Sequence, residues 1–120
     1  MNNSCRFESP SGFWLNATSY LTEGGAAGGH WVERYFPGGP AASYNIIIEG
    51  TDARGVAYAV EYDCSVGVLG QDNYCLHFLS REPLGFDAAL LAALVEQTTV
   101  KMALNPQNRI LNHTLQEGCW

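Results

Sequence analysis

The stretch YNIIIEGTDARG (44–55), AYAVEYDC (57–64) and YCLHFLSREP (74–83) decides how this chain is read. Ile46, Ile47 and Ile48 are the centre of a buried strand. Gly50 to Gly55 supplies a turn. Ala57 to Cys64 then alternates, with Tyr58, Val60 and Tyr62 on one side and Ala59, Glu61 and Asp63 on the other. That is the period of a half-exposed strand. Gly67, Gly70, Asp72 and Asn73 mark a hairpin loop, and Tyr74 to Leu79 is the strand that returns from it.

The flanks extend this pattern. Residues 1–11 suggest a short strand or arm, and residues 13–21 are rich in aromatic and β-favouring side chains. Gly24 to Gly29 is a small-residue loop. It lacks the Lys-Ser/Thr of a phosphate-binding loop. His30 to Phe36 has strand alternation and ends at Pro37-Gly38-Gly39-Pro40. Downstream, Asp87 is placed to cap a helix running to about Leu104, with Leu90, Leu91, Leu94, Val95 and Met102 on one stripe. Asn105-Pro106 stops it, because proline disfavours helical backbone just before itself. Arg109 to Leu115 reads as a short strand or strap. The expected architecture is one domain over residues 1–120, all-β and antiparallel, with one C-terminal helix packed outside the sheet.

Composition narrows function. An apolar content of 47% and a charged content of 15% are those of a folded domain. The net charge of -6, with Lys101 the sole lysine, leaves no basic surface for nucleic acid. No apolar run reaches the roughly 20 residues of a membrane-spanning helix. Four cysteines, Cys5, Cys64, Cys75 and Cys119, lack any C-x-x-C spacing, and an even count suits disulfides in an oxidising compartment. Asn2, Asn16 and Asn112 each open a glycosylation sequon. Together these favour a secreted protein. Met1 leads into a polar segment without an apolar h-region, so a secreted reading expects a mature or truncated chain. His30, His77 and His113 are scattered, without H-x-H or H-E-x-x-H spacing, so no metal site is expected. The absence of a G-x-S-x-G elbow or a paired-carboxylate motif argues against an enzyme.

The order of these elements resembles the C-terminal half of a lipocalin, closest to the retinol-binding-protein and apolipoprotein-D branches. Thr51-Asp52 matches the motif between the sixth and seventh strands, although Ala53 replaces the usual tyrosine. Tyr62-Asp63-Cys64 resembles the family's Tyr-Ser-Cys strand end, and Ser80-Arg81-Glu82-Pro83 resembles the end of the eighth strand. The match runs over about residues 31–120. It implies an up-and-down β-barrel, here incomplete, that carries a small hydrophobic molecule such as a retinoid, sterol, fatty acid, bilin or carotenoid.

The N-terminal third departs from the family. Gly12-Phe13-Trp14 fits the first-strand motif by letters but leaves too little chain for four further strands. The other register makes Cys5–Ser11 the second strand, Phe13–Leu21 the third and His30–Phe36 the fifth, with the first strand missing. It needs the smaller deletion and is preferred. Arg81 then lacks its usual tryptophan partner, and an open edge invites a homodimer. The preferred register implies Cys5–Cys119 and Cys64–Cys75 disulfides, and the other implies Cys5–Cys64. Sequence alone leaves three connectivities open.

The resemblance also implies a cavity lined by Trp31, Glu33, Tyr35, Ile46, Ile48, Ala59, Glu61, Cys75, His77 and Leu79. Tyr58, Val60, Tyr62, Leu76 and Phe78 would face out, under the helix. Glu61 and His77 would meet on neighbouring strands and bind a polar group together. Two other classes are weighed: a protein-interaction module using the open edge, and a lipocalin fragment without a functional pocket.

Overall fold

A computed structural model describes residues 2–6, 11–25, 28–66, 70, 72–83, 85–101, 111 and 114; at 2–6, 14, 15, 64–66, 72, 73 and 101 it describes the backbone alone. The protein is mostly β, with one C-terminal helix. Strands β1 (Asn2–Arg6) and β2 (Trp14–Thr18) form an antiparallel pair. Strands β3 (Tyr20–Glu23), β4 (His30–Arg34), β5 (Ala42–Thr51), β6 (Ala57–Val66) and β7 (Asp72–Ser80) form a five-stranded antiparallel meander in chain order. Among the described residues this sheet does not close into a barrel.

The aromatic segment expected as one strand over 13–21 is broken at Ser19, which is buried. On one side of the break the chain pairs with β1, and on the other with β4. Gly25 and Gly28 fall in the connection between β3 and β4, and the backbone closes it through Gly24 N–H donating to His30 O (3.0 Å).

The β5–β6 hairpin is built around Asp52. Its Oδ1 accepts hydrogen bonds from the N–H groups of Arg54 (2.8 Å) and Val56 (2.9 Å). The Arg54 guanidinium donates from Nε to Asp52 Oδ2 at 2.8 Å and reaches Gly85 O at 3.2 Å, tying the turn to the segment before the helix. Gly55 adopts φ +82°, a left-handed conformation that side chains disfavour. The Val56 N–H bond, then the Arg54 contacts, hold the Asp52 carboxyl below its ordinary range.

Register fixes the two faces of the sheet, because residues directly opposite across antiparallel strands share a face. Tyr58, Val60 and Tyr62 stand opposite Ser80, Phe78 and Leu76. Val60 is fully buried, so this face carries the core. Phe86 lies edge-on against Tyr58, with ring centroids 6.1 Å apart, which puts the start of the helix on this side. Helix α1 (Ala88–Lys101) is capped by Asp87 Oδ1, which accepts from the N–H groups of Ala89 (3.0 Å) and Leu90 (3.1 Å). Its inward stripe is buried Leu94 and Thr98 with half-buried Leu91 and Val95, the i, i+3, i+4, i+7 spacing of a packed helix face. The Thr98 hydroxyl is satisfied within the helix by Leu94 O (2.9 Å) and Val95 O (3.0 Å). Leu90 is half-buried beside this stripe, while the expected Met102 lies outside the described residues. No helix among the described residues is long and apolar enough to cross a membrane.

Candidate functional site: an acidic cluster on the open sheet face

The second face of the sheet holds the polar site. Glu61 on β6 stands between Ile46 on β5 and His77 on β7. Asp63 stands opposite Cys75, and Trp31 stands opposite Tyr44. Glu33 stands opposite Ala42 and Leu21, and Ala59 stands opposite Glu49 and Leu79. Alternation therefore gathers Trp31, Glu33, Ile46, Ala59, Glu61, Cys75, His77 and Leu79 onto one surface.

Two expected members fall elsewhere. A β-bulge between Ile46 and Ile48 shifts the register, so Ile48 stands opposite Val60 and belongs to the core face. Without the bulge it would stand opposite Ala59. Tyr35 lies beyond the end of β4 and is exposed. Its place after the strand end removes it from the alternation.

Glu61 is the centre of the cluster. It is buried, and its Oε2 lies 3.3 Å from His77 Nδ1. The imidazole is the donor, because an ionised carboxylate only accepts. The bond to Glu61 is the main reason the His77 pKa is raised above its ordinary value. The buried Tyr44 hydroxyl also bonds to Glu61, and burial followed by the charge of Glu61 pushes its pKa up to about 12. Asp63 is pushed up to about 6, first by desolvation and then by the charge of Glu61 and a hydrogen bond with it. Two carboxyl groups share a hydrogen bond only when one holds a proton.

Glu33 completes the acidic field. It is buried, and its Oε1 has no hydrogen-bond partner among the described residues. Its charge acts on Tyr44, Asp63 and His77. Glu61, Asp63 and His77 each bring one ligand atom to within 4.8 Å of the others. Apolar positions border the cluster: Trp31 and Leu79 are partly exposed, while Ile46 and Ala59 are half-buried.

Sequence reading paired Glu61 with His77 but left Tyr44 and Asp63 out of the site. Asp63 was visible in the alternation Ala59, Glu61, Asp63; Tyr44 became a member only through the register of β5. On the core side, His30 Nδ1 bonds Asn45 Oδ1, and Asn45 Nδ2 donates to Tyr62 O (3.0 Å). No sequence motif indicated that link.

The other expected positions are dispersed. Thr51 ends β5, Asp52 builds the hairpin turn, and exposed Arg81 donates its backbone N–H to Ala57 O (3.0 Å). Cys75 is a free, exposed cysteine. Cys64 stands opposite Tyr74, one register step from the Asp63–Cys75 pair and at a position of the other face, which corrects the expected Cys64–Cys75 bridge. Cys5 lies in β1, but Cys119 is outside the described residues, as is Asn112. Asn2 is in β1, and Asn16 is exposed in β2.

Comparison with known proteins yields no match: no family model fits the chain, and neither curated proteins nor solved structures produce one.

Proposed function

We propose that this protein is a secreted, lipocalin-like carrier of a small molecule that is apolar over most of its surface and ends in a hydrogen-bond donor. The supporting observation is one sheet face on which Trp31, Ile46, Ala59 and Leu79 border the buried polar groups Glu33, Tyr44 and Glu61. Apolar lining with a few convergent polar groups is what small-ligand sites need. Removing apolar ligand surface from water yields about 25 cal/mol per Å². The carboxylates then select the polar end. A hydroxyl, as on a retinoid or sterol, donates to them, whereas a fatty-acid carboxylate meets like charge.

Retinol titration followed by tryptophan quenching tests this reading. Saturable one-to-one quenching that weakens in Trp31→Phe is the expected result. Absence of saturation with both retinol and a sterol removes the carrier reading.

A second reading rests on the open sheet. Among the described residues, β3 and β7 each pair on one side only. Such edges recruit further strands, including those of a second copy. A concentration-dependent dimer without ligand uptake would favour this interaction role.

A further inference from the structure

We propose that Glu61, Asp63 and His77 form a binding site for a divalent cation of the zinc type, with Glu33 supplying additional negative charge. The inference goes beyond the carrier reading and stands without it.

The donor set is the first argument. Two carboxylates and an imidazole suit zinc, which takes oxygen and nitrogen ligands at about 2.0–2.2 Å. Ligand atoms on a tetrahedron of that size lie roughly 3.3–3.6 Å apart. His77 Nδ1 and Glu61 Oε2 are 3.3 Å apart, and the three ligand atoms lie within 4.8 Å of one another.

The second argument is independent of the cluster's internal bonds. Glu33 is more than nine-tenths buried, and its Oε1 has no hydrogen-bond partner among the described residues. Asp63 Oδ1 is likewise buried without a partner there. A buried carboxylate oxygen without a partner is costly; a cation held by Asp63 offsets that cost there, while Glu33, outside the ligand cluster, contributes its charge. Glu33 lies close enough for its charge to act on Asp63 and His77.

The third argument is access. The His77 side chain is half exposed while Glu61 is buried. A cation can enter from solvent at His77 and meet the carboxylates beneath it. The three ligands come from two paired strands, Glu61 and Asp63 from β6 and His77 from β7, so backbone pairing holds their spacing. This also explains why the sequence showed no metal motif: the third ligand is adjacent only through the register.

The test is calorimetric titration of chelator-stripped protein with ZnCl2 at pH 7.5, with no apolar ligand present. One-to-one binding is expected. Glu61→Gln, Asp63→Asn and His77→Gln should each weaken it by about tenfold or more, since loss even of outer-shell partners costs 10–100-fold. Cys75→Ser should leave it intact, which separates this site from capture by a free thiol. In the wild-type protein, zinc should shift the imidazole proton signals of His77 in NMR, a readout independent of variant folding. Absence of saturable binding, unmoved His77 signals, or loss of binding in Cys75→Ser would each overturn the proposal. Retinol titration in the same buffer without zinc reports separately on the carrier reading.

Discussion

Glu61 and His77 face each other across β6 and β7, with Oε2 and Nδ1 3.3 Å apart, the carboxylate buried and the imidazole half exposed. The hydrogen bond to Glu61 raises the His77 pKa above 6.5. The stabilising contribution is therefore fully present below pH 6.5, the unfolded value, and is lost as pH rises through the folded pKa. NMR titration of His77 should show the raised pKa, and Glu61→Gln should bring it down. An unchanged pKa in that variant would show that Glu61 is not its cause.

Asp63 gives a second pH dependence of the same sign. Its folded pKa is about 6 against an ordinary 3.8, so the folded state holds the proton longer. Stability falls as pH rises from about 4 to about 6, where the folded protein binds more protons than the unfolded chain. Asp63→Asn should stabilise the protein at pH 7.5 by on the order of 1 kcal/mol, allowing for solvent screening of a partly exposed group. At pH 3.5 the variant and the parent should be alike. Urea unfolding at both pH values checks this, and equal stability at pH 7.5 would count against it.

The pairing of Glu61 with His77 was legible because period-two alternation runs cleanly from Ala57 to Asp63 and again along β7. The helix was legible from Asp87 and its leucines, since capping and spacing are local signals. The bulge was not. Three consecutive isoleucines give no contrast between polar and apolar positions, so nothing in Ile46-Ile47-Ile48 marks where the register shifts. The break at Ser19 was also hidden, because a β-favouring run from Phe13 to Leu21 looks the same whether it pairs with one sheet or two.

The bulge separates two substitutions that sequence reading treated alike. Leu79 is partly exposed on the acidic face, whereas Ile48 stands opposite the fully buried Val60. Leu79→Arg should abolish retinol quenching while changing stability by about 0.5 kcal/mol or less, as surface substitutions do. Ile48→Arg places a charge toward the core and should destabilise the fold by several kcal/mol. Urea unfolding beside retinol titration distinguishes the two. A strongly destabilised Leu79→Arg or a stable Ile48→Arg would show the faces to be assigned the wrong way.

Gly50 makes the link between the hairpin and the helix testable. A Cβ placed there would lie 2.6 Å from Tyr58 Oη and 2.8 Å from Cζ, closer than real contacts allow. Tyr58 is stacked edge-on against Phe86, just before the capped helix. Relief of the clash requires the ring to shift, which alters that contact. Gly50→Ala should therefore cost about 1–3 kcal/mol, the usual range for overpacking. In the double variant with Tyr58→Ala the clash is gone, so the combined loss should be smaller than the sum of the two single losses. A double-mutant cycle by urea unfolding measures the difference. Additive losses would show that Gly50 and Tyr58 do not constrain each other.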